Sequence, residues 1–325
     1  MAVASQATVR STSLAQPQPK VSANRRRHVT WGLAFLTPWF IGFLAFQLLP
    51  IVSTIFLSFT NYNQTQQFAI GNFDMVGLKN YARLFTDPVI GQAMGVTLKY
   101  AVIAVPIGII IPLLFATLVN SRHLFASNIF RTLFYLPYII PLVASVMIFQ
   151  GVLNAQSGWI NLMIKAVLRV EEGPRWLSDP TWVLPALNIL GIWGVGNAML
   201  ILLAGLQGVP TELYEAATVD GANAVQKFFN ITVPMISPVI FYNLTLGVIG
   251  AFQYFVVAML IGGRNGDPQG STMFYNLHFY RTAFVFNEMG YGSTLALLLF
   301  VIIMILTGLM FYSAQKLVYY AGGEA

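Results

Sequence analysis

The sequence predicts an all-α integral membrane protein with six transmembrane helices. The first observation is composition: 57% of the 325 residues are hydrophobic and only 9% are charged, against about 25% charged in soluble domains. A soluble fold could not cover that much apolar surface. The second is spacing. Successive Asp, Glu, Lys and Arg residues leave six long gaps, at 28–73, 100–121, 132–164, 180–211, 228–263 and 289–315, and each exceeds the roughly 20 residues a helix needs to cross a bilayer. The third is period. These runs do not alternate polar and apolar residues as barrel strands do, so the backbone must satisfy itself within helices.

Residues 1–27 form an N-terminal tail and residues 28–325 the six-helix transmembrane domain. Met1–Asn24 is rich in Ser, Gln, Ala and Pro without apolar pattern, a composition that does not fold alone. Arg25, Arg26 and Arg27 directly precede the first span and predict a cytoplasmic N-terminus by the positive-inside rule. That span is too long for a signal-peptide core, and no small-x-small cleavage site follows it. The apolar cores fall at about 31–58, 97–120, 131–153, 182–205, 235–261 and 293–316, so the C-terminus returns to the cytoplasm. Arg122, Arg131 and Lys316 then sit at cytoplasmic span ends. Pro106, Pro112, Pro137, Pro141 and Pro185 are expected to kink spans. The loops at about 61–98 and 154–181 are long for mere connections.

Several functions are disfavoured. No basic stripe interleaved with aromatics suggests nucleic acid. Cysteine is absent, and His28, His123 and His278 have no ligand spacing, so no metal site is expected. A P-loop needs Gly-Lys-Ser/Thr, and no Gly-Lys dipeptide occurs. An ion-coupled secondary transporter would carry Asp, Glu or His at membrane depth and show inverted repeats. A membrane-embedded enzyme would need a His, Asp or Ser constellation there. The spans offer neither.

Residues 207–234 break the apolar pattern between spans four and five. Thr211, after Pro210, is placed to cap a helix. Glu212 and Glu215 follow in its first turns, where the helix dipole favours acids. Gly221 is the expected break, and a second short helix would carry Val225, Phe228 and Phe229 on one face until Pro234 ends it. With the N-terminus inside, this helix–turn–helix is cytoplasmic. Ala216 and Ala217 would let another surface approach closely, and Glu215 and Asp220 offer it charge.

Glu215-Ala216-Ala217, three residues, Gly221, nine residues, Ile231-x-Val233-Pro234 resembles the EAA loop of binding-protein-dependent ABC importers, with Val233 in place of the usual Leu. Gly77-Leu78-Lys79-Asn80-Tyr81 with Leu84-Phe85 and Asp87-Pro88, Arg131-x-x-Phe134-x-x-Pro137, and Gly290-Tyr291 are similar to stretches of the sugar-type permeases, in particular the larger, maltose-permease-like partner of a heterodimeric pair. The likeness covers about Trp31 to Lys316. It departs after span five, where Gly262-Gly263 is followed by Arg264-Asn265-Gly266-Asp267 before Pro268. The resemblance implies a type I ABC importer permease fold in a bacterial or archaeal plasma membrane, with a coupling loop (Glu215, Ala216, Ala217, Asp220, Gly221) seated on an ATPase. The expected assembly has a second, different permease, two ATPase copies that bind ATP and Mg, and an extracytoplasmic solute-binding protein. This chain would hold no cofactor.

The spans offer polar positions suited to a neutral, hydroxylated substrate. Trp193 and Asn197 are four apart and so predicted on one face of span four. Asn243, Gly247, Gly250, Ala251 and Tyr254 make a stripe on span five, with Gln253 beside it. Such stripes also mediate helix–helix packing, and Gln150, Asn154 and Asn188 read as structural. The resemblance aligns Trp193, Gly194, Asn197, Gly247, Gly250, Ala251 and Tyr254 with positions that line the sugar pocket, and so implies substrate contact for them.

Overall fold

The computed structural model describes residues 23–65, 73–121 and 124–319, with side chains described from residue 30 onward. Most of the tail, the side chains of Arg25–Arg27 and His28, and all of Arg122 and His123 lie outside the described residues. The described elements are helices, joined by turns and one isolated antiparallel bridge between Thr60 and Met75.

The chain divides into two units, residues 1–53 and 54–325. The first unit holds most of span one, Thr30–Ser58. Within it the α-helix gives way to one π-turn at Leu44–Leu48, directly before Pro50. A proline ring collides with the carbonyl four residues back, and a widened turn relieves that collision.

The second unit holds five further spans. Two are single helices, Pro88–Asn120 (span two) and Met289–Leu317 (span six). Span five, Ser237–Gly262, is interrupted near Gln253. Spans three and four are bent pairs: Ser127–Ile139 with Leu142–Val152 at 100°, and Val183–Trp193 with Gly196–Gln207 at 51°. With each pair as one span, the described residues hold six segments long and apolar enough to cross a membrane. Pro137 and Pro141 flank the break in span three, but Pro106 and Pro112 lie inside one continuous helix and Pro185 in the first turn of another. The break in span four falls at Gly194–Val195, away from any proline.

Span two begins at Pro88, well before its apolar core. Asp87 accepts from the Val89 N–H at 2.9 Å with Pro88 behind it, the usual start for a helix whose first donors need a partner. Span two is the axis of the unit, packing against both halves of span four and against span five. Two apolar clusters hold it. One gathers Tyr100, Phe149, Leu187, Ala251, Phe252 and Leu295; the other Ala116, Val119, Met199, Leu202 and Ile236, toward the loop between spans four and five. Glycines set the closest approaches. A Cβ on Gly196 would lie 2.4 Å from the Phe134 carbonyl, so the halves of spans three and four meet backbone to backbone.

The loop between spans three and four contains its own helix, Trp159–Leu168. Asn161 pins it. Its amide donates to the Ala155 and Pro174 carbonyls, and its carbonyl oxygen accepts from Trp176 Nε1 at 2.7 Å.

Candidate functional site

The segment between spans four and five is two short helices closed on each other. The first, Thr211–Val219, starts after Pro210; Thr211 is its first helical residue and makes no side-chain cap, so the expected capping role is not seen. Proline supplies the entry by fixing φ instead. Glu212 lies in the first turn and Glu215 in the next. The helix ends in a Schellman turn: Gly221 has φ +78°, its N–H reaches the Thr218 carbonyl at 3.1 Å, and the Ala222 N–H reaches Ala217 at 2.9 Å. Positive φ is the reason glycine stands there.

The second helix, Ala224–Lys227, opens with a capping box. Asn223 accepts from the Gln226 N–H, and Gln226 accepts from the Asn223 N–H. Lys227 Nζ donates to Thr218 Oγ1 at 2.7 Å, and Tyr214 and Thr232 share a hydroxyl hydrogen bond at 2.9 Å. These bonds staple the two helices and the head of span five into one piece. Pro234 does not end the helical run: a π-turn, Phe228–Thr232, carries into Val233–Met235, and the break comes at Ile236. Glu215, Ala216, Asp220 and Gly221 are exposed and Ala217 is half-buried. Val219 is 89% exposed, with Val225 and Phe229 also uncovered. All five coupling candidates therefore share one rigid, apolar-edged turn.

A second feature lies inside the spans. A cavity of about 500 Å³ is lined by Pro137–Leu142, Ser145, Leu190, Gly191, Trp193, Gly194, Tyr254 and Val257. It sits where three helices are interrupted: span three at Ile140, span four at Gly194, span five at Gln253–Phe255. Non-helical backbone at membrane depth is tolerated where it is buried or lines a wet cavity. The lining is mostly apolar and aromatic, with hydroxyls from Ser145, Tyr138 and Tyr254. Tyr254 is held by Tyr100 and Phe274, with ring centroids 4.4 and 4.9 Å away, and Trp193 meets Phe149 edge-on at 5.6 Å.

Of the substrate candidates, the fold brings Trp193, Gly194 and Tyr254 together on this cavity. The other five do not line it. The break at Gly194–Val195 puts Trp193 and Asn197 on different helices, which corrects the expectation of a shared face. Ala251 is buried in the core, Gly247 and Gly250 have nothing within 4 Å of an added Cβ, and Gln253 is exposed at the end of a helix. Asn243 turns back onto the Val239 carbonyl at 2.9 Å, and Asn188 onto Leu184 at 2.8 Å. Pro141 is expected from the sequence as a kink but not as a lining residue, and Ile140 and Ser145 are not expected at all. The Pro137-x-x-x-Pro141 spacing was the available signal.

The ends of the first and fifth connections meet the start of span six. Asn80 donates to the Ser58 and Thr60 carbonyls, and Tyr81 bonds the Ser58 hydroxyl at 2.7 Å. Asp87 Oδ2 accepts from Tyr291 at 2.9 Å and lies 3.2 Å from His278 Nε2. Arg83 lies 4.0 Å over the Tyr291 ring and pairs with Glu288 at 2.7 Å. Burial works against ionisation of Asp87, but the Val89 N–H, Tyr291 and His278 together outweigh it and hold its pKa below the usual value. For His278 burial dominates and lowers the pKa; Asp87 opposes this, and Arg281 and Arg83 add to it.

Residues 79–319 match the family model described as binding-protein-dependent transport system inner membrane component. The chain is 37% identical over 306 residues to the probable ABC transporter permease protein YesP of Bacillus subtilis, covering 94% of this chain and 97% of the relative. It is 32% identical over 275 residues to the arabinooligosaccharides transport system permease protein AraP of the same organism, covering 84% and 85%. A chain of a bacterial alginate ABC transporter, crystallised with a periplasmic protein carrying an alginate pentasaccharide, shares the fold: TM-score 0.77, 20% identity, 91% of this chain and 98% of that one. By sequence match over most of its length, the chain belongs to the family of inner membrane components of binding-protein-dependent transport systems.

Proposed function

We propose that this chain is one half of the translocation pathway of an ATP-driven importer for a sugar or related polar solute. The observation that carries the proposal is the Schellman-closed turn at Glu215–Gly221, rigid within itself and apolar at its edge. A turn that is stapled to the head of span five and uncovered on its other side is built to be pushed by a partner. Two ATPase subunits, binding ATP and Mg, would supply the push. Glu215 is available for a basic side chain, and Ala216 and Gly221 permit close approach. The chain then works by conformational change and catalyses no reaction.

The basic residues before span one orient the N-terminus, the coupling turn and the C-terminus toward the cytoplasm. The extracytoplasmic connections would receive a solute-binding protein. Relatives named for arabinooligosaccharide and lactose transport favour a carbohydrate. The cavity at the three helix breaks suits one, with aromatic faces for sugar C–H surfaces and a few hydroxyls for orientation. Trp193, Gly194 and Tyr254 are its contacts. The complementary half would be a different permease.

The test is purification of the tagged chain with its neighbours' products, followed by native mass spectrometry. One copy of this chain, one of another permease and two ATPases is the expected count. A transport-competent assembly of this polypeptide alone would overturn the proposal. In the intact complex, Glu215→Lys should abolish uptake and binding-protein-stimulated ATP hydrolysis while membrane insertion continues.

A further inference from the structure

We infer that the helix Trp159–Leu168 is a membrane-surface anchor whose outward face lies in the bilayer interface. The inference rests on the membrane-spanning reading and not on the importer reading. The inward side is settled by contacts: Asn161 is fully buried with three hydrogen bonds, and Ile160 and Ile164 pack on the main apolar cluster. A Cβ on Gly173 would meet the Asn161 side chain at 2.6 Å, so the following strand of loop clamps the same side. The helix therefore cannot roll.

At 100° per residue, Trp159, Met163 and Ala166 stand about 140–160° from Asn161, and Val167 and Leu162 form the edges of that stripe, about 120° and 100° away. All are exposed, Trp159 by 72%, Met163 by 69% and Val167 by 78%. No polar residue interrupts that stripe. A helix held against its protein by a buried asparagine, with an unbroken apolar stripe on its far side, is the reverse of a soluble surface helix.

Its place in the chain identifies what covers the stripe. Span three ends at Val152, and the helix begins at Trp159 after a turn in which the Gly158 N–H bonds the Asn154 carbonyl at 3.0 Å. A Cβ on Gly158 would come within 2.5 Å of the Val152 carbonyl, so the helix starts directly on the end of the span. That level is the membrane surface. An amphipathic aromatic, Trp159, stands at its start, with Lys165 and Arg169 at and after its end, the side chains that favour the headgroup region.

The chain has no cysteine, so Met163→Cys and Val167→Cys each carry the one spin label on this chain, in a full complex whose other subunits have had any reactive cysteine replaced. The complex is reconstituted in phosphatidylethanolamine–phosphatidylglycerol liposomes. Both labels are expected to collide more with oxygen than with a water-soluble nickel chelate, at a depth near the headgroups. Greater access to the chelate would mean a solvated face and overturn the inference. Protection from both reagents would mean a protein partner covers the stripe, and would also overturn it. Transport measured in parallel reports on the importer reading separately.

Discussion

Asp87 Oδ2 and His278 Nε2 lie 3.2 Å apart, their side chains only 9% and 5% exposed, although 191 residues separate them. The ionised carboxylate has no proton to give, so His278 Nε2–H donates and Nδ1 is left buried without a partner among the described residues. The pair joins the start of span two to the helix after span five, and Tyr291 adds the start of span six. One carboxylate thus caps a helix and ties two remote segments to it.

Asp87→Ala removes the cap and two hydrogen bonds to a charged acceptor. A lost cap costs about 1 kcal/mol, and each charge-assisted bond about 1.5–3 kcal/mol. The expected outcome is a clear drop in Tm in detergent, larger than for Asp87→Asn, which keeps an acceptor for the Val89 N–H. An unchanged Tm for the alanine variant would show that the three segments are held by packing alone.

His278 should make the protein less stable in mild acid. Its folded pKa is lowered, so the unfolded chain binds the proton first as pH falls below its ordinary value of about 6.5. Stability is therefore full above that value and declines as pH falls toward the folded pKa. Asp87, also lowered, keeps its contribution until pH drops below about 4. Thermal melts from pH 8 to 5 should show a falling Tm that His278→Gln flattens. Equal slopes for both proteins would assign the effect elsewhere.

Gly221→Ala should cost roughly 1–2 kcal/mol through the left-handed backbone at φ +78°, and Gly221→Pro more, since proline cannot adopt that angle. Both variants should insert into the membrane, and uptake should fall in the order glycine, alanine, proline. Uptake by the proline variant equal to the unaltered protein would remove the turn from the coupling pathway.

Substitutions around the cavity should separate its lining from its neighbours. Trp193→Ala and Tyr254→Ala are expected to raise the KM for uptake several-fold or abolish it, while Asn197→Leu, off the cavity, does less. A ranking with Asn197 as the most damaging position would return the site to the helical stripe that spacing suggested.

Much of this protein is decided locally. Charge-free length alone marks six crossings, because a bilayer penalises charge and unpaired backbone at every residue. Gly221 and the residues around it close their turn by bonds no more than five residues long, so the spacing of Glu215-Ala216-Ala217 and Gly221 was readable as a helix and its stop. Tertiary structure decided where the helices break. Gly194 interrupts span four although no proline stands there, because an unsatisfied turn of backbone survives at that depth only if neighbouring spans and a cavity accept it. The same holds for Asp87, His278 and Tyr291. The stretches around Asp87 and Tyr291 have a family likeness but neither names its partner, and only the packing of the starts of spans two and six against the helix after span five brings one carboxylate, one imidazole and one hydroxyl within hydrogen-bond reach.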